Sequence, residues 1–169
     1  MNNLSVLAHD YAITAHASTN HTYNGKPYSV HLAAVHRYAC KYGYLIPIED
    51  LEVVRAAAWL HDTIEDCRLT YNDIKTEFGE QVAELVYALT NEKGRTRKDR
   101  ANDRYYEGIR SVPYAAYVKI CDRLANAKYS KDTNSSMLTA YRKENEEFKK
   151  QLYVAAYDDM FLQLEEILK

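Results

Sequence analysis

At 169 residues, with 47% of its side chains hydrophobic, the chain is long enough to bury a core and reads as one domain over residues 1–169. A formal net charge of −2 argues against nucleic-acid binding by bulk positive charge, and no stretch is long and apolar enough to cross a membrane. Three scattered cysteines, Cys40, Cys67 and Cys121, do not make a disulfide framework; with no signal-peptide-like apolar core at the N-terminus, the expected location is the cytoplasm.

Apolar residues Leu4, Leu7, Ala8, Tyr11, Ala12 and Ala15 recur at helical spacing and predict an amphipathic helix over 4–17, with His9 and Asp10 on its polar side. A polar stretch follows. Its Asn24-Gly25 pair signals a turn, and Pro27 is placed to open a second helix over about 28–42. Val30, Ala33, Ala34 and Tyr38, with Val35 beside them, are its expected inner side. His31 and His36, five residues apart on it, point in different directions, His36 toward solvent. The segment 49–61 is apolar nearly all round toward its end, so it predicts a buried helix that carries His61 and Asp62 into the interior.

Thr70 to Asp73 reads as a helix start, Phe78-Gly79 as its stop, and 81–90 as a further apolar helix. The most basic run comes next, with Lys93, Arg95, Arg97, Lys98 and Arg100; it reads either as a solvated loop or as an anion-binding segment. A short helix is expected over 102–110. A longer apolar one follows Pro113 and carries Asp122, Arg123 and Asn126. After a polar loop, 137–168 reads as helix in two pieces. No convincing strand is present, so the fold class is all-α, with eight to ten helices.

The stretch Trp59-Leu60-His61-Asp62-Thr63-Ile64-Glu65-Asp66 places two ligand-type groups and a carboxylate pair at the end of an apolar helix. Burying that much negative charge is costly without a compensating cation or substrate. Three buried helices present ligand-type groups: His31, then His61 and Asp62, then Asp122. Two imidazoles and two carboxylates suit Mn²⁺, Fe²⁺ or Zn²⁺ and not a closed structural zinc site, which favours cysteine.

Taken together, Tyr28-Ser-Val-His31, His61-Asp-Thr-Ile-Glu-Asp66 and Asp122-Arg-Leu-Ala-Asn126 resemble the His-Asp (HD) phosphohydrolase superfamily. Within it they are similar to the (p)ppGpp hydrolase domain of the Rel/SpoT proteins and to the small alarmone hydrolases, over roughly residues 5–150. The resemblance implies a compact multi-helix HD-domain fold. It implies Mn²⁺ (alternatives Fe²⁺ and Zn²⁺) held by His31, His61, Asp62 and Asp122. Glu65 and Asp66 would position or activate the attacking water, and Arg123 and Asn126 would support the nucleotide pocket. The implied reaction is a Mn-dependent guanosine-3′,5′-bis(diphosphate) 3′-pyrophosphohydrolase reaction, giving GDP or GTP and pyrophosphate. Lys93, Arg95, Arg97, Lys98 and Arg100 could neutralise phosphate charge during it.

One departure stands out. Family members carry an Arg-Lys stretch before the Gly-x-Pro-Tyr turn that helps hold base and phosphates, whereas this chain has Thr19 to Asn24 there, with His21, Tyr23 and Lys26 as the candidate substrate contacts. Tyr23 could stack on a base. An adenine alarmone or NADPH is therefore open beside ppGpp. So are two other readings, an HD-type phosphatase of NADPH or nucleotide monophosphates and a nucleotide-binding regulator with a silent site. The expected partner is a small nucleotide, with functional pairing to an alarmone synthetase conceivable and the oligomeric state not legible.

Overall fold

The computed structural model describes residues 4–91 and 94–169. Among these, eleven α-helical segments follow one another: α1 (Leu4–Ser18), α2 (Ser29–Lys41), α3 (Leu51–Leu60), α4 (Thr63–Asp66), α5 (Tyr71–Phe78), α6 (Glu80–Leu89), α7 (Arg97–Arg100), α8 (Asp103–Ser111), α9 (Ala115–Asp132), α10 (Met137–Leu152) and α11 (Asp158–Leu168). Nine of them have eight residues or more, as the periodicity predicts for an all-α chain. None among the described residues is long and apolar enough to cross a membrane.

The long helix α9 is the axis of the fold. Its side chains are buried on nearly every face, from Ala115 through Ile120 and Leu124 to Ala127, and α2, α3, α6, α10 and α11 pack around it. Tyr117, fully buried, donates its hydroxyl to the Ala39 carbonyl 2.7 Å away and so ties α9 to α2. The other internal helix, α3, is buried from Ala56 to Leu60 and packs against α1, α2 and α6. A buried helix of small and apolar residues needs no polar outer face, and this one has none near its end.

Several local expectations are corrected. Leu7 is 59% exposed; α1 buries Ser5, Ala8, Ala12 and His16 instead, because the two alanines let it lie close against α3. The buried side of α2 is His31, Leu32, Val35 and Ala39; Val35 is on the expected side, but Ala33, Ala34 and Tyr38 are half-buried and Val30 is exposed, because the inward seat of His31 turns the face. His36 is not a solvent-facing residue. Its ring stacks on Trp59 at 4.6 Å and its Nε2 lies 3.2 Å from Ser5 Oγ.

There is also a small hairpin where no strand was expected. Asn24 (φ +49°) and Gly25 (φ +77°) both adopt left-handed backbone, the condition for a tight two-residue hairpin turn. The turn pairs β1 (Thr22–Tyr23) with β2 (Lys26–Pro27), Thr22 opposite Pro27 and Tyr23 opposite Lys26. Pro27 is consequently in a strand, and α2 opens two residues later, at Ser29.

Candidate metal centre and its cavity

Three elements bring four ligand-type side chains to one point. His31 comes from the first turn of α2, His61 and Asp62 from the break between α3 and α4, and Asp122 from the middle of α9. The break is local: Asp62 leaves helical geometry (φ −101°, ψ 0°), and Thr63 Oγ1 donates to the Leu60 carbonyl at 2.7 Å, taking up one of the acceptors that the end of α3 would otherwise orphan. His31 and His61 are each 2% exposed. Their Nε2 atoms lie 3.2 Å apart. Asp62 Oδ2 is 2.9 Å from His61 Nε2 and 3.6 Å from His31 Nε2; Asp122 Oδ1 is 3.8 Å from His61 Nε2 and 3.3 Å from His31 Nε2.

The donor chemistry fits a divalent cation. His61 Nδ1 lies 3.0 Å from the Ala58 carbonyl, which can only accept, so Nδ1 carries the hydrogen and Nε2 turns a lone pair to the centre. One ligand atom each from His31, His61 and Asp122 falls within 4.8 Å of the other two. Buried acceptors that converge this closely need a cation or protons among them. Burial pushes the His31 imidazolium pKa down, but hydrogen bonds to Asp122 and Asp62 outweigh it and raise it to about 9. Burial works against ionisation of both carboxylates as well, yet they stay well below the usual range. His61 and His31 hold Asp62 there, and Lys119 with His31 and His61 holds Asp122.

A second layer fixes the carboxylates. Tyr28 donates its hydroxyl to Asp62 Oδ2 at 2.6 Å. Lys119 Nζ donates to Asp122 Oδ2 at 2.9 Å, and Asn126 Nδ2 to Asp122 Oδ1 at 2.6 Å. The acid pair beside the ligands is asymmetric. Glu65 is gripped by Asn91, whose Nδ2 lies 2.9 Å and 3.2 Å from its two oxygens and whose backbone N–H also donates to it at 3.2 Å. Among the described residues Asp66 meets only His21 Nδ1, at 3.6 Å, and its carboxyl is pushed up to about 7, first by burial and then by Asp62 and Glu65.

These groups open onto a cavity of about 880 Å³. His31, Asp62, Glu65, Asp66 and Asp122 line it, and so do Arg97, Lys98 and Arg100 from α7, Lys119, Arg123 and Asn126 from α9, and Lys143 from α10. Arg97 and Arg123 share one carboxylate: Arg97 grips both Glu144 oxygens at 2.9 and 3.1 Å, and Arg123 Nη1 reaches Oε2 at 2.9 Å. Arg123 also lies over the Tyr141 and Phe148 rings, at 4.8 and 4.5 Å. Arg95, His21, Tyr23 and Lys26 are not among the residues that line this cavity, and Lys93 lies outside the described residues. His21 instead borders a smaller cavity of about 230 Å³, and Lys26 sits 5.9 Å from the Tyr129 ring centre. The sequence assigns no site role to Lys119, Glu144 or Lys143, and it marks Tyr28 only as part of the Tyr28-Ser-Val-His31 motif. Lys119 stands one helical turn before Asp122 and so was findable from spacing; the other three depend on tertiary placement.

The profile of the HD domain matches residues 8–152. Among curated proteins, guanosine-3′,5′-bis(diphosphate) 3′-pyrophosphohydrolase MESH1 of Danio rerio is 31% identical over 120 residues, 70% of this chain and 64% of that one. The Mus musculus MESH1 is 34% identical over 104 residues, 62% of this chain and 56% of that one. The Vibrio cholerae guanosine-3′,5′-bis(diphosphate) 3′-pyrophosphohydrolase is 31% identical over 132 residues, 74% of this chain and 18% of that one. The aligned part thus spans between half and two thirds of the animal relatives and less than a fifth of the bacterial one. A solved structure described as a metazoan ortholog of SpoT superposes with a TM-score of 0.77 at 22% identity, covering 99% of this chain and 94% of that one, which establishes a shared fold.

Proposed function

The chain belongs to the HD-domain family, and from that premise we propose that it is a metal-dependent 3′-pyrophosphohydrolase of a guanosine or adenosine alarmone, (p)ppGpp or its adenine counterpart. One observation carries the reading: His31, His61 and Asp122 converge, with Asp62 within 2.9 Å of His61, beside a carboxylate pair on a cavity that is also walled by cations. The relatives named as guanosine-3′,5′-bis(diphosphate) 3′-pyrophosphohydrolases support the choice of substrate class.

His31, His61, Asp62 and Asp122 would hold the ion, Mn²⁺ in this reading with Fe²⁺ and Zn²⁺ as alternatives, and a bound divalent ion supplies polarisation of a phosphate oxygen and acidification of water. The chain's own residues divide the remaining work. Water attacks the phosphorus carried on the ribose 3′ oxygen, the bond between that phosphorus and the 3′ oxygen breaks, pyrophosphate departs, and the 3′ oxygen takes up a proton from solvent to leave as the nucleotide's hydroxyl. Asp66, held by no hydrogen-bond donor among the described residues closer than His21 and with its pKa raised toward neutrality, takes the proton the water loses. Glu65, fixed by Asn91, orients the water. Lys119, Lys98, Arg100 and Lys143 face the cavity and offset the phosphate charge, while Arg97 and Arg123, joined through Glu144, form a rigid pair in its wall. The physiological setting in this reading is the cytoplasm, opposite an alarmone synthetase in function and without contact to it.

The test is a Mn²⁺-supplemented panel of ppGpp, pppGpp, ppApp, NADPH and nucleotide monophosphates, with ion-exchange analysis of products and an EDTA control. Pyrophosphate release from an alarmone is the expected result. Orthophosphate release from NADPH or a monophosphate would replace the reading with a phosphatase, the alternative left open by the missing Arg-Lys pair before the hairpin turn. Silence across the panel with metal bound would replace it with a nucleotide-binding regulator.

A further inference from the structure

Tyr23 sits at the end of β1, immediately before the Asn24-Gly25 turn, with Thr22 exposed and Tyr23 half-buried. Its hydroxyl donates to Asn126 Oδ1, 2.7 Å away and 103 residues further along the chain. That bond anchors the amide by its oxygen, and the Asp122 carboxylate, which can only accept, fixes which end faces it. With Oδ1 taken up by the phenol, Nδ2 is the end presented to Asp122 Oδ1, at 2.6 Å. The reversed amide would set oxygen against carboxylate oxygen and leave the phenol without an acceptor. Lys119 holds the other oxygen, Oδ2, at 2.9 Å. Asp122 therefore cannot rotate without breaking a network that reaches back to the hairpin.

The same ring backs a second ligand. A metal-ligating histidine usually donates its other N–H to a carbonyl or carboxylate, which sets the plane of the ring. His61 does so through Ala58. His31 does not: its Nδ1 is buried and has no hydrogen-bond partner among the described residues. The face of the His31 ring is covered by Tyr23, nearly parallel at 22° with ring centres 4.9 Å apart, while Tyr28 meets the ring edge-on at 5.3 Å; Tyr129 in turn packs on Tyr23 at 4.7 Å. A ring already engaged by His31 and Tyr129, and absent from the lining of the large cavity, is not arranged to stack on a base, the role its position in the sequence invited.

We propose that Tyr23 is a positioning residue for the metal-ligand set, orienting Asp122 through the Asn126 amide and His31 through the face of its ring. The proposal rests on reading the four-residue cluster as a metal site. Position 23 thus serves the centre where the family resemblance placed substrate contacts.

The test titrates Mn²⁺ alone into metal-free protein and follows free Mn²⁺ by electron paramagnetic resonance, with the circular dichroism spectrum and melting temperature of each metal-free variant as folding controls. Tyr23→Phe keeps the ring and removes the hydroxyl; Mn²⁺ affinity should fall about 10- to 100-fold, the usual effect of losing an outer-shell partner. Asn126→Ala should cost a similar factor, and the double variant should be no weaker than the weaker single one, because both act through one chain of bonds. Tyr23→Leu, which also removes the ring, should bind more weakly than Tyr23→Phe. Wild-type affinity in Tyr23→Phe, or fully additive losses in the double variant, would overturn the link through Asn126. Equal affinity in the Phe and Leu variants would overturn the role assigned to the ring. A wild-type protein that binds no Mn²⁺ would overturn the metal reading itself, and that outcome is visible in its own arm. Failure of the alarmone panel leaves the Mn²⁺ comparison fully decisive.

Discussion

Lys119 and Asp122, one turn apart on α9, form an ion pair of 2.9 Å inside the cavity. Burial alone would drive the Lys119 ammonium toward neutrality, but Asp122, Tyr105 and Asp62 more than reverse this and keep it charged. In the proposed reaction, a permanent cation beside Asp122 has two opposite consequences. It competes with a metal for Asp122, and it attracts the phosphate that must approach. Lys119→Met should therefore bind Mn²⁺ at least as tightly as wild type while kcat falls by roughly 100-fold, the scale of losing one preorganised charge at a reacting phosphate. Parallel Mn²⁺ titration and steady-state kinetics check it; a joint loss of both would reduce Lys119 to a structural strut for Asp122.

Arg123 and Lys143 both line the cavity, but only one is built into the core. Arg123 is 9% exposed, paired with Glu144 and packed on Tyr141 and Phe148; Lys143 is exposed, with no carboxylate partner among the described residues. Arg123→Ala should lower stability by about 2 kcal/mol through the lost pairing and ring contacts. Lys143→Ala should leave the melting temperature in place and raise KM severalfold for a substrate with more than one phosphate. Thermal melts and kinetics on the two variants separate the roles, and a melting shift in Lys143→Ala would contradict the division.

The carboxylate pair is next. Glu65 is locked by Asn91, whereas Asp66 is held loosely and its pKa is raised to about 7. Asp66→Asn should cut kcat by 10²- to 10⁴-fold, the range for removing a general base, with Mn²⁺ affinity kept. Glu65→Gln should cost less, and Asn91→Ala should resemble it, since both loosen the same anchor. Equal losses in the Glu65 and Asp66 variants would mean that the pair acts as one unit.

How much of this was legible beforehand depended on whether the signal was local. Helices announce themselves by period and caps, and Thr70, whose hydroxyl accepts from the Asp73 backbone while Asp73 reaches back, opens α5 where the sequence placed it. The meeting of His31, His61, Asp62 and Asp122 was legible too, because apolar runs carry them into the interior. The misread features were settled by packing. The inner face of α2 turned with His31, a change that composition does not encode, since Val30 and Leu32 are both apolar. His36 was drawn onto Trp59 from another helix. The chain neighbours of Tyr23 point to substrate, while its partners are Asn126 and His31, from α9 and α2.

His16 makes stability depend on pH in a direction that can be worked out. It is 1% exposed, and its pKa is lowered from 6.5 to about 4, chiefly by burial; Asp62 opposes the shift, and His21, His61 and His31 add to it. Its Nδ1 lies 3.0 Å from His21 Nδ1, and its Nε2 has no partner among the described residues. Because the folded-state value is the lower one, the unfolded chain takes up a proton at this position first as the solution is acidified. The stabilisation is thus complete above pH 6.5 and is lost progressively as pH falls toward 4, by roughly 3 kcal/mol over that window. The His31 imidazolium, with its raised pKa, titrates in the opposite sense and at higher pH in metal-free protein. The comparison must therefore be made as a difference between wild type and His16→Gln, which removes only the His16 contribution. Urea unfolding of metal-free protein at intervals between pH 4 and 7 should show the wild type losing stability relative to the variant as pH drops. Two curves that stay parallel across the window would show that His16 accepts its proton as readily in the folded protein as in the unfolded chain.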